Sequence, residues 1–352
     1  MAEKMRIRLF GLAMNGEFTK WDNLMSSDIS WNDLIYDLSE GVLSFRLNAI
    51  SHALPSPNNL RRWGYKSHGR CPLCHAKCAT SAHILSNCYV ALIQNRYTWR
   101  HDNVLKGIHK HFVGIVRKAN RQNASPRKKK IAQNFIKKGT NPKPRKKQKL
   151  SILHTDSPTD WHITFDFNNN STISPEASVD TLQRPDIVIH SVSKKRIIWF
   201  ENTVPLERNI IDAQLRKTRR YAKLKTALSL KGWSVEDFTI EVGALGFIAK
   251  SFDFALRQLG FGKTQKKFIR KVASKLSLRS SNYIWCNRFS PHFIKPKLTP
   301  EPKSHTFPPL KLKPLNRTPF CPTTKPPKIN YTQKKTTDHN PPAHKYLTQK
   351  EK

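Results

Sequence analysis

The run Arg184-Pro185-Asp186-Ile187-Val188-Ile189-His190-Ser191-Val192-Ser193-Lys194-Lys195-Arg196-Ile197-Ile198-Trp199-Phe200-Glu201 decides the fold. Two β-branched and aromatic segments flank a polar, basic centre, the pattern of two strands and a turn. A hairpin turning at Val192–Lys195 pairs 187 with 200 and 189 with 198, which sets Asp186 opposite Glu201. Directly opposed residues lie about 4.5–5.5 Å apart at the α-carbons and point to one face. Two acids held so repel each other, and a divalent cation removes that repulsion; clustered oxygen ligands suit Mg²⁺ or Mn²⁺. Such an ion can activate water and steady the charge on a phosphodiester. Ordinary strand-end acids in solvent fit the same pattern.

Downstream, Ile210–Leu230 has a helical pattern, and its 100° step places Lys217 beside Ile210, Tyr221, Leu224 and Leu228 on the apolar stripe. A lysine there either snorkels or meets a partner, and the acid pair on the strands beneath would be one. Strand-like runs at Trp161–Phe167 and Phe238–Val242 complete the outline of an α/β unit.

Upstream lies Cys71-x2-Cys74-x8-His83-x4-Cys88. Two thiolates separated by two residues fit one metal-binding turn, and a His and a Cys five apart reach the same ion from the next helix. Three sulfurs and an imidazole make the closed tetrahedral site of structural Zn²⁺. His75 and Cys78 are spare candidates for the ligand set, and the alternative is a set of buried free cysteines. A helix is expected through Tyr89–Tyr97. Residues 1–55 also look helical, with Trp31, Leu34, Ile35, Leu38 and Val42 at helical spacing, before a turn at Ser56–Asn59.

Composition narrows the partners. The chain has 352 residues, 63 Lys and Arg against 24 Asp and Glu, a formal charge of +39, and only 38% hydrophobic residues. Such a surplus repels itself without a polyanion, so nucleic acid is the first partner to consider, ahead of an anionic membrane surface. No apolar run is long enough to span a membrane, and the N-terminus lacks a signal-peptide core. Clustered cysteines without such a core point to metal in a reducing compartment. Between Arg117 and Lys149 stand 14 Lys or Arg and no acid, with a short helix expected around Ile131–Ile136. After Ser290 the chain is rich in Pro and Lys and reads as disordered. The basic runs Arg127, Lys128, Lys129, Lys130 and Arg145, Lys146, Lys147 suit phosphate contacts, nuclear import or plain solvation. Arg96, Arg100 and His101 are further candidate nucleic-acid contacts, and a nuclear location is expected.

The ordered set of blocks resembles the C-terminal half of non-LTR retrotransposon polyproteins of the restriction-like-endonuclease type. The blocks are Leu54-Pro55-Ser56-Pro57-Asn58-Asn59-Leu60 with Trp63-Gly64, the CCHC cluster, and Arg96 through Leu105. Further on come Arg184–Val188, Glu201-Asn202-Thr203-Val204-Pro205-Leu206-Glu207, Arg216-Lys217 with Arg220-Tyr221, and Glu241-Val242-Gly243 with Gly246-Phe247. The resemblance covers roughly residues 30–260. It implies a zinc module after a polymerase thumb, then a nuclease of the PD-(D/E)xK class that nicks target DNA. By this resemblance Asp186 and Glu201 bind the catalytic metal. The motif lysine, normally two residues after the second acid, moves to the next helix as Lys217, and Arg220 stands where a second lysine is often found. The family usually has an apolar residue at the Asn202 position and Trp at that of Leu206.

On this reading 1–65 is a helical thumb-like remnant, 66–116 a CCHC zinc module, 117–150 a basic linker, 151–285 the endonuclease domain and 286–352 a disordered tail. No two aspartates are adjacent, so no polymerase is expected, and the chain reads as a fragment, truncated copy or domesticated remnant. The expected function is a metal-dependent DNA endonuclease, with a non-catalytic DNA- and RNA-binding remnant as the alternative.

Overall fold

In the computed structural model of this chain, residues 37–124, 151–167 except 157, and 183–296 are described, with 17–21 and isolated positions 4, 7, 8, 11, 12, 179 and 181. All lie in one unit, Met1–Pro308. The basic runs at 127–130 and 145–147, the helix expected at 131–136, and 297–352 fall outside the described residues, as do Trp31, Leu34 and Ile35.

A four-stranded mixed sheet forms the centre. Its strands are β1 (His162–Phe165), β2 (Ile187–Ser191), β3 (Arg196–Thr203) and β4 (Ser234–Glu241), in that spatial order. The first three pair antiparallel; β3 and β4 run parallel. Parallel neighbours need a crossover, here the helix Ile210–Leu230. Ile187 faces Phe200 and Ile189 faces Ile198, the register expected from the hairpin. The turn closes through a Lys195 N–H donated to the Val192 carbonyl at 3.1 Å.

Every residue of β2 and β3 is buried, because helices cover both faces. The helices are α1 (Glu40–Ile50), α2 (Pro57–Arg62), α3 (Tyr89–Ile93), α4 (Arg96–Ala124), α5 (Ile210–Leu230), α6 (Lys250–Gln258) and α7 (Lys263–Cys286). Val188, Ile197 and Trp199 pack against Tyr221, Leu224 and Leu228 of α5. Ile187, Ile189, Ile198, Phe200 and Ile240 face the other way, onto Leu105, Ile108 and Phe112 of α4, Phe252 and Leu256 of α6, and Ile269 of α7. Alternation along each strand thus sorts its residues between two apolar cores.

A third cluster ties the N-terminal part to this body. Phe45, Ile50 and Leu54 meet Leu85 of the cysteine region, Leu206, Leu245 and Trp285. Leu206, which stands where Trp is usual in the family resembled, is 8% exposed and belongs to this cluster.

Three boundaries differ from expectation. The helix expected through Tyr89–Tyr97 is broken at Asn95, whose φ of 55° reverses the chain between α3 and α4. The segment 117–124, expected in a linker, is the end of α4. Ala119 is buried there, with Ile115 and Val116 just before it, in the core that includes the sheet, and this packing offsets the repulsion of the surrounding cations. Residues 287–293, expected in the tail, dock on α4: Arg96 donates to the carbonyls of Asn287 and Ser290, both at 2.7 Å, and Phe293 packs on Trp99. No helix among the described residues is long and apolar enough to cross a membrane.

Candidate functional site

The ends of β2 and β3 fix the first site. Asp186 and Glu201 extend the 187–200 pairing by one step, and both fall on the α5 face with Val188 and Trp199. The Asp186 N–H donates to Glu201 Oε1 at 3.3 Å. Lys217, on α5, sets its Nζ 2.6 Å from Glu201 Oε2 and 3.8 Å from Asp186 Oδ2. The lysine on the apolar stripe therefore meets a partner rather than snorkelling. Tyr221, one turn on, donates its hydroxyl to the Arg184 carbonyl at 2.9 Å, which pins the chain just before Asp186.

His101 of α4 enters from the other side of β3. Its Nε2 lies 3.3 Å from Asp186 Oδ2 and 3.1 Å from the Asn202 carbonyl oxygen, while Nδ1 lies 3.0 Å from Asp102. The Asn202 backbone N–H donates to Asp186 Oδ2 at 2.7 Å, and its side-chain amide donates to the His101 carbonyl at 3.3 Å. Asn202 is fully buried, so these bonds offset much of the desolvation of a polar residue on a covered strand.

The two carboxyls titrate apart. Burial alone would raise Asp186, but the His101 and Lys217 charges and the Asn202 N–H outweigh it and hold Asp186 below its usual range. Glu201 is pushed up to about 7 by burial and by the Asp186 charge, against the pull of Lys217. Burial also works against a charged His101, yet Asp186 and Asp102 raise it to about 10.

A third buried acid shares the face. Glu241 ends β4, where the parallel register puts it beside Thr203. It is fully buried; Oε2 accepts from the Ser251 hydroxyl, and Oε1 has no hydrogen-bond partner among the described residues. Burial raises its carboxyl. The sequence reading gave Glu241 no role, because a parallel pairing joins segments far apart in the chain and no local pattern announces it. Alternation of Ile240 and Val242 about Glu241, and the place of Glu241 in the block Glu241-Val242-Gly243, are signals for it in the sequence. Thr239, opposite Glu201, lines an open groove of about 500 Å³ between α5, β4 and α6, together with Gln214, Thr218, Ser251, Phe254 and Arg257.

Arg220 is exposed, its guanidinium 5.8 Å from the centre of the Tyr221 ring. With Arg216, Arg219 and Lys223 it makes an exposed cationic row on α5, at positions i, i+3, i+4 and i+7 of one helix face.

Arg96 and Arg100 are not surface groups, which corrects their reading as phosphate contacts. They are 0% and 2% exposed. Arg100 donates to the carbonyls of Leu85 and Val204, at 2.9 and 2.8 Å, and to the Ser281 hydroxyl at 3.1 Å. It therefore joins the cysteine region, the end of β3 and α7 through one guanidinium. Burial lowers it to about 10. His101 is drawn to Asp186 instead of facing outward.

The second site is the cysteine cluster. One ligand atom each from Cys71, Cys74, His83 and Cys88 lies within 4.8 Å of the others. Cys71 and Cys88 sulfurs are 3.8 Å apart, and Cys74 Sγ is 3.2 Å from His83 Nε2. These are the edges of a tetrahedron with metal bonds of about 2.0–2.3 Å, so the set could hold a zinc ion. Burial pushes the Cys88 thiol up to about 12 and lowers His83, favouring the neutral imidazole a metal needs. His75 and Cys78, the spare candidates, are exposed and outside the set, and their backbones are left-handed, with φ of 57° and 59°. His83 sits on a π-helical turn, His83–Asn87, braced by the Tyr97 hydroxyl, which donates to the Ile84 carbonyl at 2.9 Å. A scan of protein-family models finds no match to this chain, and a search of curated proteins finds none.

Proposed function

We propose that this chain is a metal-dependent DNA endonuclease, of the PD-(D/E)xK kind carried by restriction-like-endonuclease retrotransposons, with a zinc-stabilised nucleic-acid-binding module. The observation that carries the reading is the meeting of Asp186, Glu201 and Lys217 on one face of the sheet. Helix, three antiparallel strands, helix and parallel strand follow one another from α4 to β4, an order that suits this class.

A Mg²⁺ or Mn²⁺ ion would be held by Asp186 and Glu201 and would supply a water of lowered pKa. The remaining tasks fall to the chain. Lys217 stabilises negative charge on the scissile phosphate. His101 and the Asn202 N–H hold the Asp186 carboxylate in place and ionised. The cationic row on α5 and the charge of +39 draw DNA or RNA to the protein by their phosphates, and the same charge suits a nuclear protein.

Nicking of supercoiled plasmid by the purified chain with Mg²⁺ or Mn²⁺ tests this. Asp186→Ala and Glu201→Ala should abolish nicking, and Asp186→Ala should bind duplex as well as the parent or better, since a negative charge is lost. Lys217→Ala should slow nicking by a factor of about 10²–10³. Nicking that survives Asp186→Ala rejects the proposal. Binding without nicking under any divalent metal would leave a non-catalytic remnant.

A further inference from the structure

From residue 41 to residue 101 the chain contains no acid. The eight cations in this span divide into two sets. Arg46, Arg96 and Arg100 are buried, and Arg61, Arg62, Lys66, Arg70 and Lys77 are exposed. Four of the exposed five fall within ten residues that also carry Trp63 and Tyr65, 44% and 49% exposed. Scattered exposed aromatics need no explanation; two within three residues, among four cations and no acid, do.

The loop that presents them is held in shape. Gly64, with φ of 84°, ends α2, its N–H donating to the Arg61 carbonyl and that of Tyr65 to the Leu60 carbonyl. The Ser67 hydroxyl donates to the Pro57 carbonyl at 3.1 Å and accepts from the Gly69 N–H at 3.3 Å. Gly69, with φ of 67°, lies under the Arg61 side chain: a Cβ there would stand 3.3 Å from Arg61 Nε. Two further backbone bonds, Ala79 N–H to Gly69 at 2.7 Å and Asn58 N–H to Ala79 at 3.1 Å, tie both ends of the loop to the Cys71–Cys88 region. The folded loop thus brings the start and end of the basic segment together, with the two rings displayed between them in sequence.

We infer that this face, carried by Arg61, Arg62, Trp63, Tyr65, Lys66 and Arg70, is a binding platform for a single-stranded nucleic acid. Positive charge in a stretch of chain without an acid matches a phosphodiester chain, and exposed rings match unpaired bases, which have free faces where a duplex does not. The inference rests on the proposed nucleic-acid-binding function while naming its form and place.

The test is fluorescence anisotropy of the full zinc-loaded chain with labelled oligo-dT, oligo-rU and a mixed-sequence duplex. Trp63→Ala and Tyr65→Ala should each weaken single-strand binding by about tenfold and lower the ratio of single-strand to duplex affinity. Trp63→Phe should keep most of the affinity, because a ring remains. Zinc content and circular dichroism of each variant confirm that the module is folded; should an alanine variant fail that check, Trp63→Leu and Tyr65→Leu, which keep an apolar side chain without a ring, take its place. Equal losses on single strand and duplex, or no loss on either single strand, overturn the inference. Affinity confined to oligo-rU would overturn it too, because base faces and phosphates are common to both polymers. A parent chain that binds oligo-dT and oligo-rU but nicks no plasmid would fail the nuclease reading and leave this one standing.

Discussion

Glu207 shows what one buried acid asks of its surroundings. It is 1% exposed, Oε1 accepts the Leu245 N–H at 2.7 Å, and Oε2 has no hydrogen-bond partner among the described residues. A Cβ on Gly243 would stand 2.1 Å from Oε1, so only glycine leaves it room. Burial pushes its carboxyl up to about 7, although the Arg46 charge pulls the other way. The neutral form is therefore the one the fold prefers. Its contribution to stability is full below the ordinary 4.5 and is lost as the pH rises through about 7. Between about pH 5 and about pH 8, Tm should fall, and Glu207→Gln should flatten that fall while keeping the bond to Leu245. An unchanged slope in a thermal melt would place the buried charge elsewhere. Arg100 makes a related point about reading charge from sequence. A guanidinium that binds three interior groups and one that binds phosphate have the same letter, and burial separates them only once the helices are packed. Asp186, Glu201 and Lys217 were legible because their placement follows from a local hairpin and one helical stripe.

Among the elements, the π-helical turn and α7 are both bonded to their neighbours through backbone and polar side chains. The turn His83–Asn87 gives its carbonyls to Tyr97 and Arg100 as well as presenting His83 to the cysteines. Removing zinc with a chelator should therefore lower Tm and loosen the Leu85 contacts together. One zinc per chain is expected by elemental analysis, and Cys78→Ser should retain it while Cys88→Ser should not. Helix α7 was not legible in the sequence. Its buried face carries Ser274, Ser277, Ser280 and Ser281, which no hydrophobic periodicity reveals. The serines serve backbone and side chains instead: Ser277 donates to the Gly243 carbonyl at 2.7 Å, and Ser280 accepts from Asn103 at 3.1 Å. Small side chains let α7 approach α4, where a Cβ on Gly107 would stand 2.2 Å from Leu276 Cδ1 and 3.2 Å from Val272 Cγ1. Gly107→Val should destabilise the chain by about 1–3 kcal/mol through overpacking, read as a drop in denaturation midpoint.

At the scale of the whole molecule, charge and continuity matter most. With a net charge of +39, duplex binding should weaken steeply with salt. If about eight phosphates are neutralised, log K should fall against log salt with a slope near −7. Replacing Arg216 and Arg219 of the α5 row by Gln should reduce that slope by about two, and an unchanged slope would mean that the row does not touch the backbone. Helix α4 supplies the continuity. Its 29 residues span about 43 Å. Along that length stand Arg96 beneath the docked 287–293 segment, His101 at the acids and Phe112 in the sheet core. The border expected at residue 116 falls inside this rod, so a cut there would break a helix that the cysteine region and the sheet share. A recombination event there would splice half a rod shaped for one sheet onto half shaped for another cysteine turn. A piece cut without breaking these contacts would run unbroken from α1 to the docked segment 287–293.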